Sequence, residues 1–172
     1  MGKIAHLSSL EILNMTSNLL YGTIPRELSS VTSLQTLILD DNMFSARLPE
    51  WLSSFPVLTV LSLKKNLFNG SLPDFLAVWS LRVLALSRNH FYGEVPGFSS
   101  LKNLQELDLE DNAFEPRFPQ VGNKLVRLVS KKTDNKLIEM LFENTSCNLE
   151  LEFADLSSNF FEWTIAQLPF GY

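Results

Sequence analysis

Asparagine recurs at Asn18, Asn42, Asn66, Asn89 and Asn112, each time closing the same alternation of leucine with other residues. The blocks read LEILNMTSN, LQTLILDDN, LTVLSLKKN, LRVLALSRN and LQELDLEDN, and LEFADLSSN restarts the series at Asn159. Two residues beyond each asparagine stands Leu20, Phe44, Phe68, Phe91, Phe114 or Phe161. A period of about 23–24 residues confines the chain to a quasi-one-dimensional stack, because each unit must bury its apolar face against its neighbours. The leucines are thereby committed to turn-on-turn packing, and function is confined to the surfaces of the stack.

Within a block the pattern apolar-x-apolar, as in Leu37-Ile38-Leu39, describes a short strand with two leucines on one face and the middle residue on the other. Successive turns then align as a parallel sheet. A polar asparagine at a fixed place in this apolar ladder is accounted for if its amide satisfies backbone groups that burial between turns would leave unpaired. The phenylalanines at a fixed offset are expected to stack as an internal aromatic spine. Gly22, Gly70 and Gly93 follow four residues after their asparagines, and Pro25, Pro49, Pro73, Pro96 and Pro119 seven residues after theirs. Glycine permits a tight bend there and proline ends strand pairing.

This pattern is the leucine-rich repeat, and tails such as LYGTIPRELSSVTSL and FNGSLPDFLAVWSL resemble its plant-specific class, LxxLxLxxNxLxGxIPxxLxxLxx. The expected fold is an α/β-type repeat, a leucine-rich-repeat solenoid with a curved parallel β-sheet on its concave face and 3-10 or irregular turns on its convex face. About seven turns form a single domain over residues 1–172. Residues 125–150 are a degenerate turn: LVRLVSKKT carries Ser130 at a core position and Thr133 in place of asparagine. Leu137, Ile138, Leu141 and Phe142 in that stretch have the spacing of a short amphipathic helix. Ala46 and Pro116 replace the bend glycine, and Ala166 replaces the last proline.

The composition, 45% hydrophobic with a formal net charge of −5, supports a sizeable core and gives no cationic field for nucleic acid or an anionic membrane surface. No apolar run approaches the roughly 20 residues that span a bilayer, and the opening MGKIAHLSSLEIL lacks the apolar core of a signal peptide. The residues alone leave localisation unknown. Leu7, Leu10 and Leu13 expose a first-turn edge that repeat arrays usually cap, so both ends are expected to read as cut from something longer. The single cysteine, Cys147, lies between Glu143 and Glu150, which oppose its ionisation, and an inert thiol is expected.

The outward strand positions give a concave surface whose charge changes sign turn by turn: Asp40 and Asp41, then Lys64 and Lys65, then Arg88, then Asp108, Glu110 and Asp111, then Lys131 and Lys132. Strands about 4.8 Å apart set these bands side by side. They serve either as lateral charge pairing worth under about 1 kcal/mol per exposed pair or as a banded surface selecting a partner of complementary charge. Asp40, Asp41, Lys64, Lys65, Arg88, Asp108, Glu110 and Lys131 are the candidate partner-binding residues. No catalytic, cofactor or metal site is expected: an open sheet offers no desolvated cleft for the acidic band, and His6 and His90 have no second ligand at metal spacing. Trp51, Phe75 and Phe98, two residues after successive prolines, are expected to form a lateral stripe, packed against neighbouring turns or exposed as a contact patch. Acceptor triplets for N-glycosylation begin at Asn14, Asn69 and Asn144, and matter only in a secreted chain.

The run of blocks from SSLEILNMTSNLLYGTIP to LQELDLEDNAFEPRFPQVGNKLVRLV resembles the ectodomain of plant leucine-rich-repeat receptor-like kinases, nearest the group whose kinase is inactive, with FPQVGNKLVRLV the most group-specific piece. That resemblance implies a protein- or peptide-binding module on the extracellular side of the plasma membrane, with another receptor-like kinase as a candidate partner. It brings no enzyme activity, cofactor, nucleic acid or membrane insertion to this chain. The alternative is a truncated structural remnant without binding activity of its own.

Overall fold

The computed structural model describes residues 7–72, 78, 80–94, 101 and 103–114, together with short strands at 127–129 and 153–155. In chain order the strands are β1 (Ile12–Asn14), β2 (Tyr21–Gly22), β3 (Thr36–Ile38), β4 (Met43–Ala46), β5 (Val60–Ser62), β6 (Leu67–Gly70), β7 (Val83–Ala85), β8 (His90–Gly93), β9 (Glu106–Asp108), β10 (Ala113–Phe114), β11 (Arg127–Val129) and β12 (Phe153–Asp155). The odd-numbered strands β1 to β11, followed by β12, form one seven-stranded parallel sheet. Its register sets Leu13 beside Leu37, Leu61, Leu84 and Leu107 in turn. The leucine at the middle of each strand and the one two residues on face the core, as alternation requires: Leu37 and Leu39 are buried while Ile38 between them is only partly so.

β11 takes its place between β9 and β12 despite the lost consensus residues around it. The rest of the 125–150 segment, with Ser130, Thr133 and the expected helix over 137–142, lies outside the described residues. So do Cys147, Phe161 and His6.

A second sheet was not foreseen. The segments after each asparagine, read above as bends, pair as a five-stranded parallel sheet in the order β10, β8, β6, β4, β2. β6 alternates strictly, with Leu67 and Asn69 outward and Phe68 inward. Strands β2, β6 and β8 end on Gly22, Gly70 and Gly93 at φ of 86°, 88° and 81°. Ala46 adopts φ 81° at the equivalent place. Past the prolines, 3-10 turns at Arg26–Ser30 and Glu50–Ser54 bury Leu28 and Leu52 on the convex side.

Between the sheets the phenylalanines form the expected spine. Phe44, Phe68, Phe91 and Phe114 stack with centroids 5.9, 6.2 and 6.1 Å apart and interplanar angles of 7°, 6° and 6°. Leu20 continues the line in the first turn, partly buried against the core. Trp51 also packs against the core, edge-on to Phe55 at 5.9 Å. Phe75 and Phe98 of the proposed stripe lie outside the described residues.

The asparagines join the two sheets. Asn66 donates from Nδ2 to the carbonyls of Leu39 in the preceding turn (2.9 Å) and of Leu63 and Lys64 in its own turn (3.2 and 3.1 Å). Its Oδ1 accepts the N–H of Phe44 at 3.0 Å. Asn42, Asn89 and Asn112 repeat the arrangement, taking the N–H groups of Leu20, Phe68 and Phe91. One side chain thus bonds four backbone groups, among them the Lys64 carbonyl, which also accepts the Asp41 N–H at 2.8 Å. Immediately before each, Ser17, Asp41, Lys65, Arg88 and Asp111 adopt left-handed backbone at φ of 53–58°. This turn carries the amide inward and leaves the preceding side chain pointing out.

Asn66→Ala is expected to cost about 1–3 kcal/mol, since it strands buried N–H and C=O groups. Asn18→Ala is expected to cost less, because exposed Asn18 bonds only the carbonyls of Met15 and Thr16 in its own turn. Equal melting temperatures for wild type and Asn66→Ala refute the structural role. Ala46→Gly is expected to stabilise the fold by about 1 kcal/mol by releasing left-handed strain, measured by urea denaturation.

Candidate functional site

The outer face of the main sheet and the left-handed turns beyond it enclose a groove of about 370 Å³, lined by Thr16, Ser17, Asp40, Asp41, Lys64, Lys65, Ser87, Arg88, Asp108 and Glu110. Seven of the eight candidate residues named from sequence share this groove. The eighth, Lys131, lies outside the described residues. Each charged side chain reaches the groove from one of three places. Asp108 is the last residue of β9, and Asp40, Lys64 and Glu110 follow the strands by two residues. Asp41, Lys65 and Arg88 occupy the left-handed positions.

The carboxylates are held from within. Asp40 accepts the Ser62 hydroxyl at 2.7 and 2.9 Å and the backbone N–H of Lys64 at 2.8 Å. Asp108 accepts the Ser87 hydroxyl at 2.8 Å and the backbone N–H of Glu110 at 3.2 Å. Asp41 accepts the Ser17 hydroxyl at 2.8 Å. The lateral pairing expected from the charge bands is present for Asp40 with Lys64, at 4.0 Å, and for Arg88 with Glu110, at 3.8 Å. Asp41 turns to Ser17 rather than to Lys65. Both ion pairs exceed hydrogen-bonding distance, and their cations remain substantially solvated, 41% and 52% exposed against 16% for either acid.

By alternation Ser62, Ala85 and Ser87 stand on the outward side of the main sheet with these charged residues, but all three are buried, at 6%, 5% and 4% exposure. Ser87 lines the groove, and the carboxylates of Asp40 and Asp108 close over Ser62 and Ser87. The serines were legible as polar positions; their role as tethers for Asp40 and Asp108 needed the register of adjacent turns. Asn14, at the end of β1, is exposed and accepts the N–H and hydroxyl of Thr16 at 3.0 and 2.6 Å. Asn69 projects from the second sheet within β6, a strand rather than the turn expected, and Asn144 lies outside the described residues. Among the described residues no cluster of His, Cys, Asp and Glu is arranged to hold a metal ion, and no helix is long and apolar enough to cross a membrane.

The same tandem geometry recurs in known proteins. Residues 9–31 and 33–55 match the family model of the Leucine Rich Repeat. The chain is a leucine-rich-repeat solenoid. It is similar in structure to the plant peptide hormone receptor RGFR1 in complex with RGF2, at 25% identity and a TM-score of 0.74 over 91% of this chain and 29% of that one. It is similar also to the Arabidopsis receptor kinase HAESA in complex with the peptide hormone IDA and the co-receptor SERK1, at 26% identity and a TM-score of 0.66 over 92% and 27%. The ectodomain of the Arabidopsis receptor kinase SOBIR1 matches at 28% identity and a TM-score of 0.60 over 86% and 68%. No curated protein sequence matches the chain. The repeats therefore resemble those of plant receptor-kinase ectodomains, and the chain spans about a quarter of the length of the peptide-bound receptors.

Asp40→Ala is expected to lower stability by about 1–2 kcal/mol, because Lys64 N–H and the Ser62 hydroxyl lose a charged acceptor. Asp41→Asn, which keeps a residue tolerant of left-handed backbone, should leave the urea midpoint unchanged. The reverse order of effects contradicts the tethering of Asp40 by Ser62 and the Lys64 N–H.

Proposed function

We propose that this protein is a non-enzymatic recognition module that takes an extended peptide or protein segment along the concave groove from Thr16 to Glu110. The observation that carries this reading is the preorganisation of the groove. Its aspartates are fixed by hydroxyls, and Asp40 and Asp108 by backbone amides as well, so a ligand meets a defined acidic pattern with little ordering of those side chains left to do. The peptide hormones in the RGFR1 and HAESA structures support the same use of this architecture. On this reading the chain acts at the extracellular side of the plasma membrane, and a second receptor-like kinase is its candidate protein partner. The groove offers electrostatic complementarity and no enclosed, desolvated cleft for acid–base chemistry.

Panning a displayed library of random linear peptides on the immobilised chain tests the reading. Selected clones are expected to lose binding to the Lys64→Glu, Lys65→Glu double variant by tenfold or more. They should retain it on the Arg26→Glu, Glu27→Arg variant, whose changes lie on the exposed convex 3-10 turn. Both variants must first give the wild-type circular dichroism spectrum. Equal loss or equal retention by the two removes the concave groove from consideration.

A further inference from the structure

The hydrogen-bonding capacity of the groove is unevenly used. Asp40, Asp41 and Asp108 each accept at least one hydrogen bond from a serine hydroxyl, and Asp40 and Asp108 accept backbone N–H groups as well. The cations are not matched in this way. Lys64 and Arg88 approach their carboxylates only to 4.0 and 3.8 Å, and among the described residues Lys65, exposed at its left-handed position, forms no ion pair. The ammonium of Lys64, that of Lys65 and the guanidinium of Arg88 therefore stand at the middle of the groove with donors turned to solvent, on two adjacent strand-and-turn units paired through β5 and β7.

From this surplus of donors between satisfied acids we infer that the groove selects a peptide bearing an acidic side chain, Asp or Glu, whose carboxylate seats among Lys64, Lys65 and Arg88. The inference rests on the groove being the binding surface and adds the chemistry that it reads. A carboxylate supplies the acceptors these groups lack, and the planar guanidinium can engage it in bidentate fashion. The flanking turns set the limit on charge. Asp40 and Asp41 on one side and Asp108 and Glu110 on the other favour a monoanion and repel the dianion of a phosphorylated residue. Neighbouring positions of the ligand are best neutral or basic for the same reason.

The sequences of the clones selected by panning, and three further variants, test this. Lys65→Asn and Arg88→Asn keep residues that tolerate left-handed backbone, and Lys64→Gln keeps the side-chain length, so all three are expected to fold. The selected peptides should share a central Asp or Glu. Replacing that residue by Asn or Gln should weaken binding about tenfold, as each of the three protein variants should. Binding of the acidic peptides should weaken further with added salt, and a phosphoserine at the same place should bind worse than Asp. Peptides without an acidic residue that depend on the groove yet ignore Lys65→Asn and Arg88→Asn overturn the carboxylate assignment and leave the groove reading intact. Selected peptides indifferent to every groove variant, or a library that enriches no clone, overturn both.

Discussion

The asparagine amide is the interaction on which the remaining structure depends. Parallel strands from successive turns satisfy one another along the main sheet, and where the chain leaves that sheet the asparagine amides add to the backbone bonds, such as Asp41 N–H to the Lys64 carbonyl, that run on from turn to turn. A single amide has two donor hydrogens and a two-lone-pair acceptor. Asn42, Asn66, Asn89 and Asn112 spend both functions on backbone groups at the corner, reaching one turn back and closing their own turn at once. The Oδ1 contact to the N–H two residues past the preceding asparagine sets the second sheet beside the first. The phenylalanines between the sheets can then stack in near-parallel planes.

The corner also explains the placement of the site. To aim the asparagine inward, the residue before it takes left-handed backbone, at a cost of roughly 1–2 kcal/mol for an L-residue. Serine, aspartate, lysine or arginine stands there in place of glycine. The residues that accept this strain are those whose side chains stand at the rim of the groove. The structural corner and the variable charged position are consecutive in sequence, so each turn offers one position that can change without disturbing the amide beside it.

Much of this was legible in the sequence because repetition turns one chain into several observations of the same environment. The fixed offset of Asn and Phe marked the amide ladder and the aromatic spine, and the outward positions of five turns located Asp40, Lys64, Arg88 and Asp108 on one face. The second sheet was missed because two- to four-residue strands such as Tyr21–Gly22 and Leu67–Gly70 carry glycine and asparagine, which read as bend residues in isolation. The burial of Ser62 and Ser87 was missed because alternation assigns a face but says nothing of how far a neighbouring turn's charged side chain folds over it.

The regular step of the array has a metric consequence. Neighbouring rings in the spine are tilted by only 6–7° and spaced nearly equally, so each turn repeats the last with little change of direction. Strands in such a sheet advance about 4.8 Å per turn, whereas an extended chain laid across them advances about 3.3 Å per residue. The two lengths coincide at about three residues for every two turns. A ligand running along the groove therefore comes back into step with the turns at every third side chain, and the intervening residues fall between turns.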